Sequence, residues 1–148
     1  GCGAFEAVVR RNKCVGNKGD GLFLCWRVQG GLFENNDFSN NKRHGISIGM
    51  KDSDNVFRNN AITENEKNGI WFRNQPEQNG AHRNVFEKNR ILDNARCIVF
   101  EGQHIDLVFR KNTIGYSKPR EDATAFESAE PQKGLQSEGN EFRNVKTP

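Results

Sequence analysis

Methionine and tyrosine are almost missing from this chain of 148 residues, at 1 each, and proline is held to 4. No apolar run approaches the roughly 18 residues of a membrane-spanning helix, so such a span is excluded. Charge of one sign is missing as well: 22 Lys+Arg stand against 19 Asp+Glu, a net charge of +3. The signs alternate instead of forming blocks, which argues against a nucleic-acid partner. The 4 cysteines, Cys2, Cys14, Cys25 and Cys97, lack the close pairing of a zinc or redox motif, so no metal site is expected from them. Buried free thiols are the ordinary reading, with a Cys2–Cys25 bridge as the alternative if the two lie one repeat apart. The first residues show no basic and then apolar secretory segment.

Asparagine is what the chain has in excess, 19 of them, with 15 glycines. Both are poor in helices and depleted in ordinary strands. With 34% hydrophobic residues, a conventional bundle or sandwich is a poor fit. A disordered chain would not carry 11 Phe and 2 Trp.

Internal repetition explains the asparagines. The segment Asn55-Val56-Phe57-Arg58-Asn59-Asn60-Ala61-Ile62 has counterparts at Leu32-Phe33-Glu34-Asn35-Asn36, Val85-Phe86-Glu87-Lys88-Asn89 and Val108-Phe109-Arg110-Lys111-Asn112. Val8-Val9-Arg10-Arg11-Asn12 is a divergent first copy, and Glu141-Phe142-Arg143-Asn144 a partial last one. Steps along Val9, Phe33, Phe57, Phe86, Phe109 and Phe142 are 24, 24, 29, 23 and 33 residues. A second landmark follows in Gly21-Leu22-Phe23-Leu24, Gly45-Ile46-Ser47-Ile48, Gly69-Ile70-Trp71-Phe72 and Cys97-Ile98-Val99-Phe100.

Each copy holds short alternating segments, too short for helices and too small to bury an apolar face alone. Copies must therefore stack, pairing equivalent strands in parallel at a rise of about 4.8 Å. The expected fold is all-β, a parallel β-solenoid of about 5–6 rungs with ~24 residues per rung. Four apolar columns should fill its bore: Leu22/Ile46/Ile70/Ile98, Leu24/Ile48/Phe72/Phe100, Cys14/Phe38/Ile62/Ile91/Ile114, and the phenylalanines ending at Phe142. Asn12/Asn36/Asn60/Asn89/Asn112 and Asn17/Asn41/Asn65/Asn94 become two stacked amide ladders at turns, where Asn also tolerates left-handed backbone. A leucine-rich repeat has a similar period but needs Leu where this chain has Phe, Ile and Asn.

These Gly-Ile-x-Ile and Asn-x-Phe-x-x-Asn-x-Ile copies resemble the right-handed parallel β-helix repeat of the pectate-lyase-like superfamily, well over about residues 5–114 and loosely over 123–145. The resemblance implies a right-handed coil, agreeing with the crossover rule, and polysaccharide as the substrate class. Extracellular or periplasmic location is likewise implied. Many members are lyases, hydrolases or epimerases, and others are binding or scaffold modules, so fold does not give chemistry. The Asn-Thr-Asp, Asp-Asp and Gly-His-Gly motifs of polygalacturonases are absent, and Gly102-Gln103-His104 is no match. The Arg-based signature and acidic calcium clusters of pectate lyases are absent too, so no catalytic residue transfers.

A single domain over residues 1–148 is expected, read as a fragment of a longer β-helix or as capped by neighbouring domains or rungs. Two departures from period stand out, at residues 73–83 and 115–138, the second an exposed polar excursion around a weak strand at Thr124-Ala125-Phe126. Insertions in repeat proteins collect on one face, often the binding face. Alternation turns Phe23, Ser47, Trp71 and Val99 outward, then Cys25, Gly49, Arg73 and Glu101. Trp71 and Trp26 could stack on sugar rings. Arg27, Lys51, Arg73 and His82 could meet uronate carboxylates. An ordinary solvated surface uses the same residues.

Proton abstraction beside a uronate needs a base and a cation or proton donor on the carboxylate. Bases on offer are His44, Lys51, His82 and His104; carboxylates are Asp20, Asp52, Asp54, Glu77 and Glu101. The best catalytic constellation is Lys51, Asp52, Arg73 and His82, with Trp26, Arg27, His44, Trp71 and Glu101 as substrate contacts. No cofactor is required. Asp52-Ser53-Asp54-Asn55 is oxygen-rich and at a turn, which suits calcium and equally a plain turn. The expected function is a carbohydrate-active or carbohydrate-binding domain, lyase- or epimerase-like if catalytic. The alternative is a non-catalytic binding or scaffold module of a larger surface protein.

Overall fold

The computed structural model describes residues 3–146, and these form an all-β parallel solenoid of about five turns. The first sheet stacks Val8–Arg10, Leu32–Glu34, Val56–Arg58, Val85–Glu87, Val108–Arg110 and Gln136–Glu138. The second stacks Ala61–Thr63, Arg90–Leu92, Thr113–Gly115 and Glu141–Arg143, and single bridges extend it through Asp37 to Lys13. The third stacks Leu22–Phe23, Ile46–Ile48, Asn68–Gln75, Arg96–Gly102 and Phe126–Ser128. A short fourth pairing joins Ala4–Phe5 to Val28–Gln29. The one helical turn among the described residues is the 3-10 segment Glu77–Asn79. No helix among them is long and apolar enough to cross a membrane.

The bore is filled as the columns require. In the first sheet only the middle residue of each strand points inward. Phe33, Phe57, Phe86 and Phe109 stack with centroids 4.8, 4.5 and 4.8 Å apart and planes within 13° of parallel. Phe72 and Phe100 meet this pile edge-on. Each fully buried ring is worth roughly 2–3 kcal/mol of transfer free energy, so the pile is a main source of stability.

One expected column is corrected. Phe142 pairs with Ile114 in the second sheet, and Ser137 takes the position after Phe109. The last rung steps 28 residues in both sheets, not 33. Glu141-Phe142-Arg143-Asn144 imitates a first-sheet strand because the second sheet also alternates polar and apolar residues. The stretch 115–138 likewise supplies Phe126–Ser128 and Gln136–Glu138 to two sheets. What is long in it is the connection from Gly115 to Phe126.

Both asparagine ladders are present, and from Asn36 to Asn112 and from Asn41 to Asn94 they are buried, while Asn12 and Asn17 at their first ends are exposed. Asn60 shows the pattern: its Oδ1 accepts the N–H and side-chain amide of Asn36, at 2.9 and 3.1 Å. Its Nδ2 donates to Phe33 O at 2.9 Å and to Asn89 Oδ1 at 3.0 Å. The ladder continues past Asn112 to Asn140. The left-handed conformation belongs to the residue before each ladder asparagine. Arg11, Asn35, Asn59, Lys88, Lys111 and Gly139 hold φ between 53° and 60°. Asparagine is therefore at the ladder for its amide, not for its backbone tolerance.

The glycine landmark follows from the second ladder. A Cβ on Gly45 would lie 2.8 Å from Asn65 Nδ2 and 2.7 Å from Gly69 O. One on Gly69 would meet Asn94 Nδ2 and Cys97 O, both at 2.7 Å. That ladder stops at Asn94, and the buried Tyr116 follows instead. Cys97, freed of an overlying amide, is the copy that carries a side chain.

Candidate functional site

Where the third sheet runs into its following turn, the backbone N–H groups are captured by a column of mixed chemistry. Val28 N–H donates to Asp52 Oδ1 at 2.9 Å, Ala81 N–H to His104 Nδ1 at 3.0 Å, and His104 N–H to Gln132 Oε1 at 2.9 Å. A second mixed column runs ahead of the glycines: His44 N–H donates to Asp20 Oδ1, Asn68 N–H to His44 Nδ1, and Arg96 Nε to Asn68 Oδ1. A third links Ser53, His82 and Ile105.

All three histidines therefore serve the backbone. His82 accepts Ile105 N–H on Nδ1, so its Nε2 carries the proton and donates to Glu77 O at 2.6 Å. His104 accepts on Nδ1 and donates from Nε2 to Glu101 O and Arg73 O. Burial lowers His104 from 6.5 to about 4, against the pull of those carbonyls. His44 is lowered to about 4 as well, chiefly by burial, with the Asp20 carboxylate opposing.

Arg73 lies flat across earlier rungs, over the glycine at position 49. It donates to Leu24 O at 2.7 Å and Ser47 Oγ at 3.0 Å, and approaches Asp52 Oδ2 at 3.6 Å. Asp52 also accepts Gly49 N–H, and its side chain is fully buried. Burial raises the Asp52 pKa and lowers that of Arg73, so desolvation outweighs their mutual attraction. The pair fixes the turn more than it adds stability. Its guanidinium also covers Phe23, 4.5 Å from the ring centroid. This explains why Ser47, expected on the outward face, is buried.

Above Arg73 a cleft of about 450 Å³ opens, lined by Phe23, Cys25, Trp26, Met50, Lys51, Arg73, Gln75 and Asn79. Residues 73–83 build one wall, and the Lys51 backbone is tied to Asn79 O at 2.9 Å. Arg27 rests on the Trp26 ring at 4.8 Å. Phe23 is 52% exposed. The cleft thus joins two aromatic rings, an ammonium and two amides, a set that can take a flat polar ligand carrying negative charge.

The other candidates stand apart. Trp71 stacks on His44 at 4.5 Å, farther back on the third sheet. Glu101 lines a separate groove of about 610 Å³ with Arg96, Glu127 and Glu130. Asp54 pairs with Arg83 at 2.8 Å while Asp52 turns inward, and among the described residues no three His, Cys, Asp or Glu groups are grouped to hold a metal. The proposed partner of Cys25, Cys2, lies outside the described residues. Gln75 and Asn79 were missed as cleft residues; the extra length of residues 73–83 was the signal for them.

Residues 3–147 match the family model described as right handed beta helix region. Neither a curated protein nor a solved structure matches the chain.

Proposed function

The chain belongs to the right-handed β-helix family, and on that premise we propose that it is a polysaccharide-binding module whose cleft takes a uronate-bearing chain. The observation that carries this reading is the cleft itself, where Phe23, Trp26 and Lys51 meet beside Arg73. Sugar rings offer a flat apolar face to an aromatic ring, and a uronate carboxylate offers a charge-assisted bond to Lys51. Binding is favoured over turnover because the imidazoles of His82 and His104 are committed to backbone on both nitrogens. Asp52 and Arg73 support the cleft floor. An extracellular or periplasmic setting, where such polymers occur, goes with this reading.

Titration calorimetry against polygalacturonate, alginate and a neutral glucan tests it. Saturable binding to an acidic polymer is expected, weakened about tenfold by Lys51→Ala or Trp26→Ala, the loss of one charged bond or one stacked ring. Absence of binding to every polymer would sink the reading. Ultraviolet absorbance from an unsaturated uronate product, lost in Lys51→Ala, would instead make the chain a lyase with Lys51 as base. Loss of turnover in His82→Ala as well would extend that site to the insertion.

A further inference from the structure

The outward face of the first sheet carries two unlike stripes in strict register. One is aliphatic: Val8, Leu32, Val56, Val85 and Val108, closing on Gln136. Its four inner members are all partly exposed, and Val8 is 54% exposed. The other is charged and alternates without a fault: Arg10, Glu34, Arg58, Glu87, Arg110 and Glu138. Neighbours within the stripe pair, Arg58 with Glu34 at 2.8 Å and Arg110 with Glu87 at 2.9 Å. The Arg10, Arg58 and Arg110 side chains nevertheless stay 41–49% exposed and keep donors facing solvent.

We infer that this face docks a second copy of the chain about a two-fold axis lying along the strand direction. The argument is one of symmetry. Such an axis reverses the order of rungs and keeps each stripe over itself. An alternating row with an even number of charges, read backwards, opposes every charge with its opposite. Arg10 would face the partner's Glu138, Glu34 the partner's Arg110, and Arg58 the partner's Glu87. Valine would lie over valine, Val56 against the partner's Val85. A two-fold along the solenoid axis would instead lay the aliphatic stripe on the charges. The contact is isologous and closes at two copies. Six strands at a spacing of about 4.8 Å and a contact width of about 10 Å give on the order of 300 Å² per copy, below the ~800 Å² of a standard interface. The dimer is therefore weak and concentration-dependent. The cleft on the third sheet stays open in it.

Sedimentation equilibrium from micromolar to millimolar chain tests this. At low ionic strength the mass should rise toward two copies with concentration, and added salt should return it to one. Arg58→Glu sets like charges opposite each other twice per dimer and should weaken association at least tenfold. Arg58→Glu with Glu87→Arg restores opposite signs across the axis while placing like charges side by side within each chain. It should therefore recover the dimer although its melting temperature falls. A stripe that serves only its own chain predicts the reverse, no recovery. A wild-type chain of single mass throughout the low-salt series overturns the inference without any variant. So does a dimer indifferent to Arg58→Glu, or a double variant no better than the single one, each with its fold verified by circular dichroism.

Discussion

Two turns of each rung solve one problem in two ways. Between the first and second sheets, an asparagine captures the N–H of the rung before it, and five do so in succession, from Asn36 to Asn140. After the third sheet, the same duty passes from Asp52 to His104 to Gln132, with Ala81 between them offering no polar side chain. An amide both donates and accepts, so one asparagine makes the next one useful and the column propagates. A carboxylate accepts only, and a neutral imidazole has one donor and one acceptor, so a mixed column must be solved anew at each rung. The uniform turn keeps its two-residue connection in every rung. The mixed turn tolerates residues 73–83, and that is where the cleft lies.

The largest break should come from the middle of the uniform column. Asn60→Ala removes the acceptor of the Asn36 N–H and side-chain amide and takes one donor each from Phe33 O and Asn89 Oδ1, in a dry interior. A loss on the order of 4 kcal/mol in urea unfolding is expected: the bare Asn36 N–H costs about 1–3 kcal/mol, and the bonds lost by three further buried groups add the rest. A loss under about 1 kcal/mol would mean that water satisfies the ladder.

Acid separates the columns next, because asparagine does not titrate and His104 does. Its folded value near 4 lies below the unfolded 6.5, so the folded chain binds fewer protons. The corresponding stability is complete above pH 6.5 and is lost as pH falls toward 4. About 3 kcal/mol should disappear over that window, with His44 acting in the same direction. A His104→Gln variant whose stability falls as steeply in acid as the wild type would remove His104 from the account.

Within the uniform system, the glycine rule gives a smaller contrast. Gly69→Ala forces a methyl against Asn94 Nδ2 and Cys97 O and should cost about 2 kcal/mol, whereas Cys97→Ala, with no ladder amide above it, should cost less than about 1.5 kcal/mol. Equal costs would sever the link between glycine and ladder. The smallest effect belongs to the ladder's exposed end. Asn12→Ala loses bonds to Arg10 O and Asn36 Oδ1 where water can replace them, so melting should register less than about 1 kcal/mol.

The sequence exposed the repeating parts because each recurs in several copies. Phe33, Phe57 and Phe86 occupy one column, and Asn36, Asn60 and Asn89 the next, at the offsets the repeats demanded. Phe142 misled because a short polar-apolar-polar segment suits either of two sheets, and only the pairing with Ile114 decides between them. The candidate site was less legible. Lys51, Trp26 and Arg73 were named for their chemistry, and they do line one cleft. Nothing in the order of residues tells that His82 and His104 face carbonyls 5 and 3 positions back along the chain.

What the sequence determined by itself is the solenoid: period, stacked rings and amide ladders are properties of recurrence, and recurrence is visible in one dimension. What only the tertiary structure decided is which polar side chains remain available to a ligand. A histidine or arginine on a turn serves backbone or solvent according to which N–H and C=O groups the neighbouring rung brings within 3 Å. That depends on where a rung 23 to 29 residues away has been lengthened, as it was between Phe57 and Phe86.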